Sequence, residues 1–505
     1  YPYRVEYSYK ITEEEFLFLT NWIPVLYSNI STMESSLEIN IPINYIIHIN
    51  QSEGLTHLKT KLEDRKIYRW ESSTAIKLKK EIFSPPVMEL LPIVSVVPDK
   101  FYYGVSGSQD SWSSFGNWLD ELNKGTDQLP LIEKKNIEKL IEGIEDKTEI
   151  IKKIYYYHQD YTKYINVAID VGGLKSFPAS YVYRNKYGDC KALTTYMKSL
   201  LKSVGIESFY TIIKAGKNIA KINRNFPSQQ FNHVVLAVPV ANDTIWLENT
   251  SNSLPYNYLG TFTQDRYALA INGRESELIH TPKLQPSDVL DKREYSFTIN
   301  AENNWKGDIK FELRGGSFEN FRYSISNKNE LEQKMELIKH LNIEGFVLND
   351  WSFIDYNRNS RYIKVQLNGD SPNLIREIGN WEVINPLKIS IPHFEDPNNR
   401  HLEVRINYPI NKSDKMVYQI KNIENKEITI PEGINIKTIY GQYFTDYSIE
   451  NNLIICYEKF TLMDKNISLE KYPEFYSYIK SINTHKKQSS ILIKWKAYLL
   501  FLAYL

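Results

Sequence analysis

The stretch from Tyr187 to Ile213 constrains the fold of this chain more than any other part of its sequence. Small or apolar side chains recur there with the spacing of one helical face, and these are Cys190, Leu193, Thr194, Met197, Leu200, Leu201 and Val204. Asp189 is a favoured residue for capping a helix N-terminus, and Gly205 is a typical stop. Because Ile206 to Ile213 is rich in β-branched and aromatic residues, the sequence predicts a buried helix followed by a strand.

Cys190 lies in the first turn of the predicted helix, on its apolar face. Unpaired backbone N–H groups and the positive end of the helix dipole meet at such a position. That environment stabilises a thiolate, the reactive form of cysteine, and it offers backbone donors to an oxyanion. A cysteine on an apolar helix face is more often an inert buried side chain. We therefore expect a nucleophile at Cys190 only if a base lies nearby.

A predicted hairpin farther along the chain provides the base. His233 opens a strand that runs through Val238, and Thr244 to Glu248 form the second strand. The start of the first strand then lies beside the end of the second. An even number of loop residues places His233 and Glu248 on the same face, directly opposite or diagonal, whereas an odd number favours Asn249. The alternative is a histidine at a strand end that bonds only solvent or a loop carbonyl.

A cysteine at a helix N-terminus, a histidine that opens a strand and an acid that ends the next strand form the arrangement of thiol catalysis. The residues are found in three motifs, Tyr187-Gly188-Asp189-Cys190-Lys191, Phe231-Asn232-His233 and Trp246-Leu247-Glu248-Asn249-Thr250. These motifs resemble the bacterial transglutaminase-like domain, which has a papain-like α+β fold. The resemblance implies that Cys190 is the nucleophile, His233 the general base and acid, and Glu248 the orienting carboxylate.

The motifs also contain a departure from the family and two residues with open roles. Glutamate stands at Glu248, where aspartate is the usual choice of the superfamily. The Cys190 N–H is the one oxyanion donor that we expect. Lys191 and Asn232 fit the motifs, but a solvated charge and a turn-forming amide are equally good interpretations of them.

The resemblance extends over nearly the whole chain, through Tyr1–Tyr7, Ser111–Gly116, Phe177–Ser180 and Tyr258–Arg266. It implies an architecture of Bacteroidetes-type secreted proteins, in which a β-sandwich domain of unknown function precedes the core. We expect a multidomain α+β protein, with a papain-like transglutaminase core between N-terminal and C-terminal antiparallel β-sandwich domains. The predicted domains are an N-terminal β-sandwich (1–128), the catalytic core (129–280), a β-rich domain with one helix (285–392), a C-terminal β-sandwich (395–494) and an unassigned tail (495–505).

Local patterns agree with these domains. Alternation over Tyr3–Ile11 and Leu37–Ile43 predicts strands with one buried face. Since the first pattern is already under way at the start of the chain, we expect the N-terminal domain to be truncated there.

The aromatic segment Ser111–Trp118 is interpreted as core, with a carbohydrate-stacking surface as the less favoured alternative. Asp146 has the form of a helix cap, and His158 is interpreted as a packed helix residue rather than a ligand.

Composition disfavours several classes of function. The 61 lysines and arginines balance the 61 aspartates and glutamates, so no net positive charge is present to hold nucleic acid. Two distant cysteines, Cys190 and Cys456, exclude a disulfide framework and a cysteine-rich metal site. The nine histidines are scattered, and the longest apolar run, residues 497–505, is too short to cross a bilayer. We therefore predict no metal, no cofactor, no nucleic acid partner and no integral membrane segment.

The motifs predict a transglutaminase-like thiol enzyme that acts on amide bonds of protein or peptide substrates through a thioester. Hydrolysis, deamidation and amine transfer stay open, because they differ in pocket shape and water exclusion. The alternative is a catalytically inert cell-envelope binding or scaffolding protein with the same core, which a wide separation of Cys190 and His233 would favour. The sequence contains no secretion signal, so the expected periplasmic or cell-surface location, and a cell-envelope partner, follow from the resemblance alone.

Overall fold

The computed structural model of the chain describes residues 4–25, 32–73, 79–166, 173–241, 243–299, 305–326, 328–341, 343–371 and 374–496. The chain divides into two compact units. The first contains Tyr1–Lys80, Pro86–Asn252 and Asp265–Thr281, and the second contains Glu81–Pro85, Ser253–Gln264 and Pro282–Leu505. Helices and β-sheets are both abundant, so the fold is mixed α and β.

The first unit begins with two three-stranded antiparallel sheets. Their strands are β1 (Thr20–Trp22), β2 (Ser35–Pro42), β3 (Ile47–Gln51), β4 (His57–Lys61), β5 (Arg65–Ser72) and β6 (Val94–Pro98). One sheet has the order β1-β6-β3, and the other has the order β2-β5-β4. Side chains from both sheets share a core in which Ile41, Trp70 and Val96 are buried. The strand predicted over Leu37–Ile43 is confirmed by β2.

The strand predicted over Tyr3–Ile11 is wrong for the part of it that the structure describes. Residues 4–19 form no strand, and Tyr3 lies outside the described residues. The alternating side chains Val5, Tyr7, Tyr9 and Ile11 are all exposed. An alternating pattern supplies an apolar face, but a strand also needs a neighbour to complete its hydrogen-bond ladder. No described strand pairs with this segment.

The rest of the first unit combines helices with a larger sheet. The helices are α1 (Val87–Leu90), α2 (Trp112–Leu122), α3 (Leu131–Leu140), α4 (Lys147–Tyr161), α5 (Ala179–Asn185) and α6 (Cys190–Ser203). Two small sheets pair β7 (Lys100–Tyr103) with β8 (Val105–Ser108), and β9 (Lys163–Tyr164) with β10 (Tyr187–Gly188). The larger sheet contains β11 (Phe209–Ile213), β12 (His233–Val240), β13 (Asp243–Leu247), β14 (Tyr267–Ile271) and β15 (Glu277–His280). Its order is β13-β12-β11-β14-β15, and every pair in it is antiparallel.

The aromatic segment Ser111–Trp118 forms the start of α2. The Ser111 hydroxyl caps the helix by accepting the Ser114 N–H at 3.1 Å. Phe115 and Trp118 are buried in a core cluster that also contains side chains of β11 and β14. The interpretation of this segment as core is confirmed for Phe115 and Trp118, whereas the Trp112 ring is only partly buried and packs against the same cluster.

Helix α4 confirms two local predictions. The Asp146 carboxylate caps it by accepting hydrogen bonds from the N–H groups of Thr148 and Glu149. His158 is fully buried, with its Nε2 atom 3.2 Å from the Leu193 carbonyl oxygen. Burial lowers the pKa of His158 to about 4, so the ring is neutral and packed, as expected.

The second unit is dominated by strands. They are β16 (Leu290–Ile299), β17 (Trp305–Arg314), β18 (Val347–Ile354), β19 (Tyr362–Ser371), β20 (Ile375–Ile378), β21 (Trp381–Ile384), β22 (Val404–Arg405), β23 (Ile410–Gln419), β24 (Lys426–Thr429), β25 (Ile434–Thr438), β26 (Gly441–Glu450), β27 (Leu453–Leu462), β28 (Asn466–Ile467) and β29 (Ile491–Trp495). Eight of them form one sheet of order β18-β19-β17-β16-β23-β27-β26-β25. Only β16 and β23 are parallel in it. The helices are α7 (Gly260–Thr263), α8 (Gly316–Ile325), α9 (Glu330–Leu341) and α10 (Tyr472–Lys486).

The eight-stranded sheet crosses a boundary that the sequence predicted. Strands β16 to β19 belong to the segment 285–392, and β23 and β25 to β27 belong to the segment 395–494, yet all lie in the same sheet. The first segment contains two helices rather than the predicted one, and α10 lies in the second, where no helix was expected.

In the tail, Trp495 ends β29, and residues 497–505 lie outside the described residues. Across the described part of the chain, no helix combines the length and apolarity needed to cross a bilayer.

Candidate active site

Helix α6 begins at Cys190, as the sequence predicted, and Asp189 forms its cap. The Asp189 carboxylate accepts the Ala192 N–H at 2.9 Å, and its carbonyl oxygen accepts the Leu193 N–H at 3.0 Å. The N–H groups of Cys190 and Lys191, the first two of the helix, have no acceptor among the described residues. They therefore form a site at which a negative charge beside the sulfur is stabilised.

The residues on either side of the thiol are closely packed. A Cβ atom on Gly188 would lie 2.8 Å from the Ala192 side chain, so this turn needs glycine to approach the helix. Lys191 forms an ion pair with the Asp189 carboxylate, which is 2% exposed. The interpretation of Lys191 as a solvated charge is therefore wrong, because its ammonium neutralises a buried acid that would otherwise be costly to ionise.

His233 and Glu248 meet across the hairpin that β12 and β13 form. Two residues separate the strands, which is an even number. Leu247 pairs with Leu236. Glu248, the next residue, therefore lies opposite Val235 and diagonal to His233. The long glutamate side chain spans the diagonal and brings its Oε2 atom to 2.8 Å from the His233 Nε2 atom.

Burial and mutual contact determine the charges of this pair. Burial alone would lower the pKa of His233, but the Glu248 carboxylate and hydrogen bonds with Cys190 and Glu248 raise it to about 10. Burial alone would raise the pKa of Glu248, but the His233 charge and hydrogen bonds from His233 and Thr250 lower it. At neutral pH the pair is therefore an imidazolium and a carboxylate.

The thiol completes this group. The Cys190 side chain is a close enough neighbour of the His233 ring to raise its pKa. Since Nε2 faces Glu248, Nδ1 is the ring nitrogen that is left for the sulfur. Cys190 and His233 line a cavity of about 210 Å³, and Cys190 is only partly buried. The sulfur, the imidazole and the carboxylate therefore converge beside a space that a small part of a substrate can enter.

Side chains to which the sequence reasoning assigned no role hold Glu248 in place. Thr250 donates its N–H at 3.1 Å and its hydroxyl at 2.5 Å to the Glu248 Oε1 atom. On α4, the Tyr155 hydroxyl donates to the Glu248 carbonyl oxygen at 3.0 Å. The Gln159 amide, one turn later, donates to Tyr155 and to the Ser251 carbonyl oxygen. Thr250 belongs to a motif that could have indicated it, whereas nothing local links α4 to Glu248.

Asn232, the residue before His233, is held in place by its own side-chain amide. Its Oδ1 atom accepts the Ala215 N–H at 2.6 Å, and its Nδ2 atom donates to the Ala215 carbonyl oxygen at 3.0 Å. Both bonds tie the entry of β12 to the segment that follows β11. Asn232 thus has a structural role, as one of the two interpretations of this residue expected.

Tyr164 provides an aromatic surface next to the thiol. The pairing of β9 with β10 places it opposite Gly188, and its side chain is 45% exposed. Burial and the nearby groups of Cys190, Asp189 and Glu248 raise the pKa of its hydroxyl. The sequence held no signal for this position, because a two-residue strand pair decides it. Over the described residues, no three His, Cys, Asp or Glu side chains are grouped to bind a metal ion.

Comparison with known proteins finds similarity in one segment and in the fold. Residues 383–493 match a family model described as a domain of unknown function with a solved structure, DUF3858. A crystal structure from Parabacteroides distasonis, described as a "putative protease", is 12% identical with a TM-score of 0.56, over 93% of this chain and 74% of that one. A structure from Cytophaga hutchinsonii, described as a "putative cysteine protease", is 10% identical with a TM-score of 0.22, over 51% of this chain and 80% of that one.

No curated protein matches the sequence. The likeness to the Parabacteroides structure shows the fold, since at 12% identity it carries no information about individual residues. The DUF3858 match covers most of the predicted C-terminal β domain (395–494) and begins before it, in β21.

Proposed function

We propose that this protein is a transglutaminase-like thiol enzyme that acts on amide bonds of protein or peptide substrates. In this proposal the α+β part of the first unit is a papain-like core, with Cys190 as nucleophile, His233 as general base and acid, and Glu248 as orienting carboxylate. One observation carries the proposal: the His233 ring lies between the Cys190 thiol and the Glu248 carboxylate, beside a cavity. A structural cysteine needs neither partner.

The proposed reaction takes place at one carbonyl carbon. The Cys190 sulfur attacks it, and the carbonyl oxygen becomes an oxyanion that the Cys190 N–H binds. When the C–N bond breaks, the His233 imidazolium protonates the leaving nitrogen, and a thioester remains. Water or a second amine then attacks the thioester and gives its proton to His233, and the sulfur leaves. Water gives hydrolysis, and an amine gives transfer.

Two further observations support this proposal over an inert scaffolding protein. The scaffold alternative calls for His233 beyond the reach of the thiol, whereas Cys190 is near enough to raise the pKa of His233 and both residues line one cavity. The Parabacteroides structure, with which the chain shares its fold, is described as a "putative protease", and proteolysis is amide chemistry. We further propose a periplasmic or cell-surface location with a cell-envelope partner, on the basis of the family resemblance.

Selective alkylation tests the proposal, because the chain contains a control thiol. Cys456 is 1% exposed, and burial raises its pKa to about 12. We expect a small excess of iodoacetamide to modify Cys190 in the folded protein and to leave Cys456 unmodified, with peptide mapping as the readout. Modification of both thiols only after denaturation would contradict a reactive thiol at Cys190.

The reaction itself is tested with two substrates. Ammonia release from a glutamine-donor peptide and cleavage of a general protein substrate are compared between the wild type and Cys190→Ala. We expect one of the two activities in the wild type and neither in the variant. If Cys190 is alkylated but neither substrate reacts, the proposal is reduced to a reactive thiol, and the two tested substrate types are excluded.

A further inference from the structure

A second cavity lies next to the candidate active site. Its volume is about 810 Å³, within the range of ligand sites in proteins. It is bounded by the end of α2 and the loop that follows, by α6 and by the segment that leads into β11. Leu119 and Tyr210 line both this cavity and the one that contains Cys190. The two cavities are therefore neighbours, and we call the larger one the distal cavity.

One face of α6 runs from the first cavity to the second. Lys191, Thr195, Lys198 and Lys202 have the spacing i, i+4, i+7 and i+11, which places them in one row along the helix. Lys191 lines the cavity of the thiol, and the other three line the distal cavity. Lys198 lies eight residues after Cys190, which corresponds to about 12 Å along the helix axis.

Lys198 differs from the other lysines of this row. Lys191 is paired with Asp189, and Lys202 is paired with Asp127. Among the residues that the structure describes, none forms a hydrogen bond or an ion pair with the Lys198 ammonium. Asp120 and Asp127 act on it only through their electrostatic field, and burial lowers the pKa of Lys198 despite them. The distal cavity thus contains a partly buried cation without a bonded anion, and the carboxylates of Asp120, Glu121, Asp127 and Glu207 line the same cavity.

A second polar group in the same cavity also lacks a partner. Ser208 is 6% exposed, and its hydroxyl makes no hydrogen bond to the described residues. Ser208 lines the distal cavity together with Lys198. A buried hydroxyl without a partner is costly, and such groups usually mark a place where a ligand or an ordered water binds. An ammonium and a hydroxyl are both donors, and both suit a carboxylate.

We propose that the distal cavity binds a carboxylate of the substrate, with the Lys198 ammonium and the Ser208 hydroxyl as donors. This inference rests on the proposed function, and it specifies the substrate as a peptide with a negative charge at a set distance from the reacting residue. An extended peptide advances about 3.3–3.6 Å per residue, so about 12 Å corresponds to three or four residues. The carboxylate belongs to an acidic side chain or to the C-terminus of the peptide.

Binding to the full-length Cys190→Ala protein tests the proposal without any chemistry. The probes are acetylated, amidated peptides with one glutamine and one glutamate, placed one to five residues apart on either side. Each has a matched peptide in which methionine replaces the glutamate, and calorimetry measures the affinity. We expect glutamate at the third or fourth residue to raise the affinity about tenfold, as a charge-assisted hydrogen bond does.

A second set of peptides distinguishes the two sources of the carboxylate. These peptides contain no glutamate and end three or four residues after the glutamine, with either a free C-terminal carboxylate or an amide. A gain with the free carboxylate alone assigns the site to peptide ends, and a gain with glutamate alone assigns it to acidic side chains. Either result supports the proposal, and the absence of both gains overturns it.

Variants show whether Lys198 is responsible. Lys198→Met should remove the tenfold gain, and Lys198→Arg should keep most of it. Lys152→Met is the control, since it removes the same charge from a lysine on α4 that lines neither cavity. Ser208→Ala should reduce the gain about threefold and serves as the second variant if Lys198→Met does not fold.

Three results would overturn the proposal: peptides that do not bind at all, a gain from glutamate that is independent of distance, or a gain that survives Lys198→Met. Different results would contradict the proposed function: Cys190 would not be alkylated selectively, and the wild type would turn over neither substrate. The two failures are therefore separable.

Discussion

The two cysteines of the chain lie in opposite environments. Cys190 begins helix α6, where N–H groups have no acceptor among the described residues and the charged ring of His233 is a close neighbour. Cys456 lies in the middle of β27, between Met416 and Tyr447 of the neighbouring strands, and is buried. Burial raises the pKa of the Cys456 thiol to about 12. The comparison teaches that a helix end leaves donors and space for an anion, whereas the interior of a wide sheet leaves neither.

Replacement of each cysteine by alanine, which removes the thiol, is the strongest test of this difference. We expect Cys190→Ala to lower amide-bond activity by about a thousandfold or more, because no other described thiol can replace the nucleophile. Cys456→Ala should keep the wild-type rate. Rates are measured with the substrate that the wild type accepts, at equal amounts of folded protein. Equal rates for wild type and Cys190→Ala would remove the distinction between the two cysteines.

Removal of the Glu248 carboxylate tests the charge on His233, which is a neighbour of Cys190 and not of Cys456. Glu248→Gln keeps the shape of the side chain, and we expect it to lower the rate about a hundredfold. The pKa of His233 should fall, because the Glu248 carboxylate is the main group that raises it. The alkaline limb of the rate profile should therefore move to lower pH. Glu149→Gln, an exposed glutamate on α4, is the control, and a limb that stays in place would contradict the assignment.

The pH dependence of the stability measures the contact between His233 and Glu248 without a substrate. The pKa of His233 is about 10 in the folded protein and 6.5 ordinarily, so the folded state holds this proton more tightly. The stabilisation is complete below about pH 6.5 and is lost as the pH rises toward about 10. We expect urea midpoints of the full chain to fall over this range, and to fall less in Glu248→Gln. Identical slopes in both proteins would show that His233 is not responsible.

Cys456→Ser tests the buried side of the comparison. The change places a hydroxyl in the core of the eight-stranded sheet, and we expect it to lower the free energy of unfolding by about 1–3 kcal/mol. Cys456→Ala, which adds no polar atom, should cost less than the serine variant. Thermal unfolding of both variants is the measurement. A serine variant as stable as the wild type would mean that the thiol lies in a more polar environment than its burial indicates.

Much of the candidate site could be predicted because it depends on short-range patterns. The period of α6 placed Cys190 at a helix N-terminus, and strand parity limited the partner of His233 to Glu248 or Asn249, between which the two-residue loop of the structure decides for Glu248. Both predictions use only the repeat of a helix or a strand. The resemblance to a known family then added the roles of the residues, which stay proposals.

Other features could not be predicted, because they depend on segments that are distant in the sequence. The ion pair that buries Lys191 against Asp189, and the Tyr155 hydroxyl on the Glu248 carbonyl oxygen, follow from packing alone. The parallel pair of β16 and β23, which joins two segments that we separated, leaves no local signal. Helix α10 did carry one, since Tyr472, Phe475, Ile479 and Ile482 have helical spacing, but it lies among strand patterns and was missed.

By itself, the sequence determined that Cys190 begins an amphipathic helix and that His233 opens a strand, and it left the residue that faces His233 open between Glu248 and Asn249. Backbone hydrogen bonds in helices and turns join residues that are close in the sequence, so local structure can be predicted from neighbouring residues. Only the tertiary structure decided that the three side chains meet, that His233 is charged and that Lys198 has no bonded partner among the described residues. Burial and Coulomb interactions act through space, and they depend on which distant segments the fold brings together.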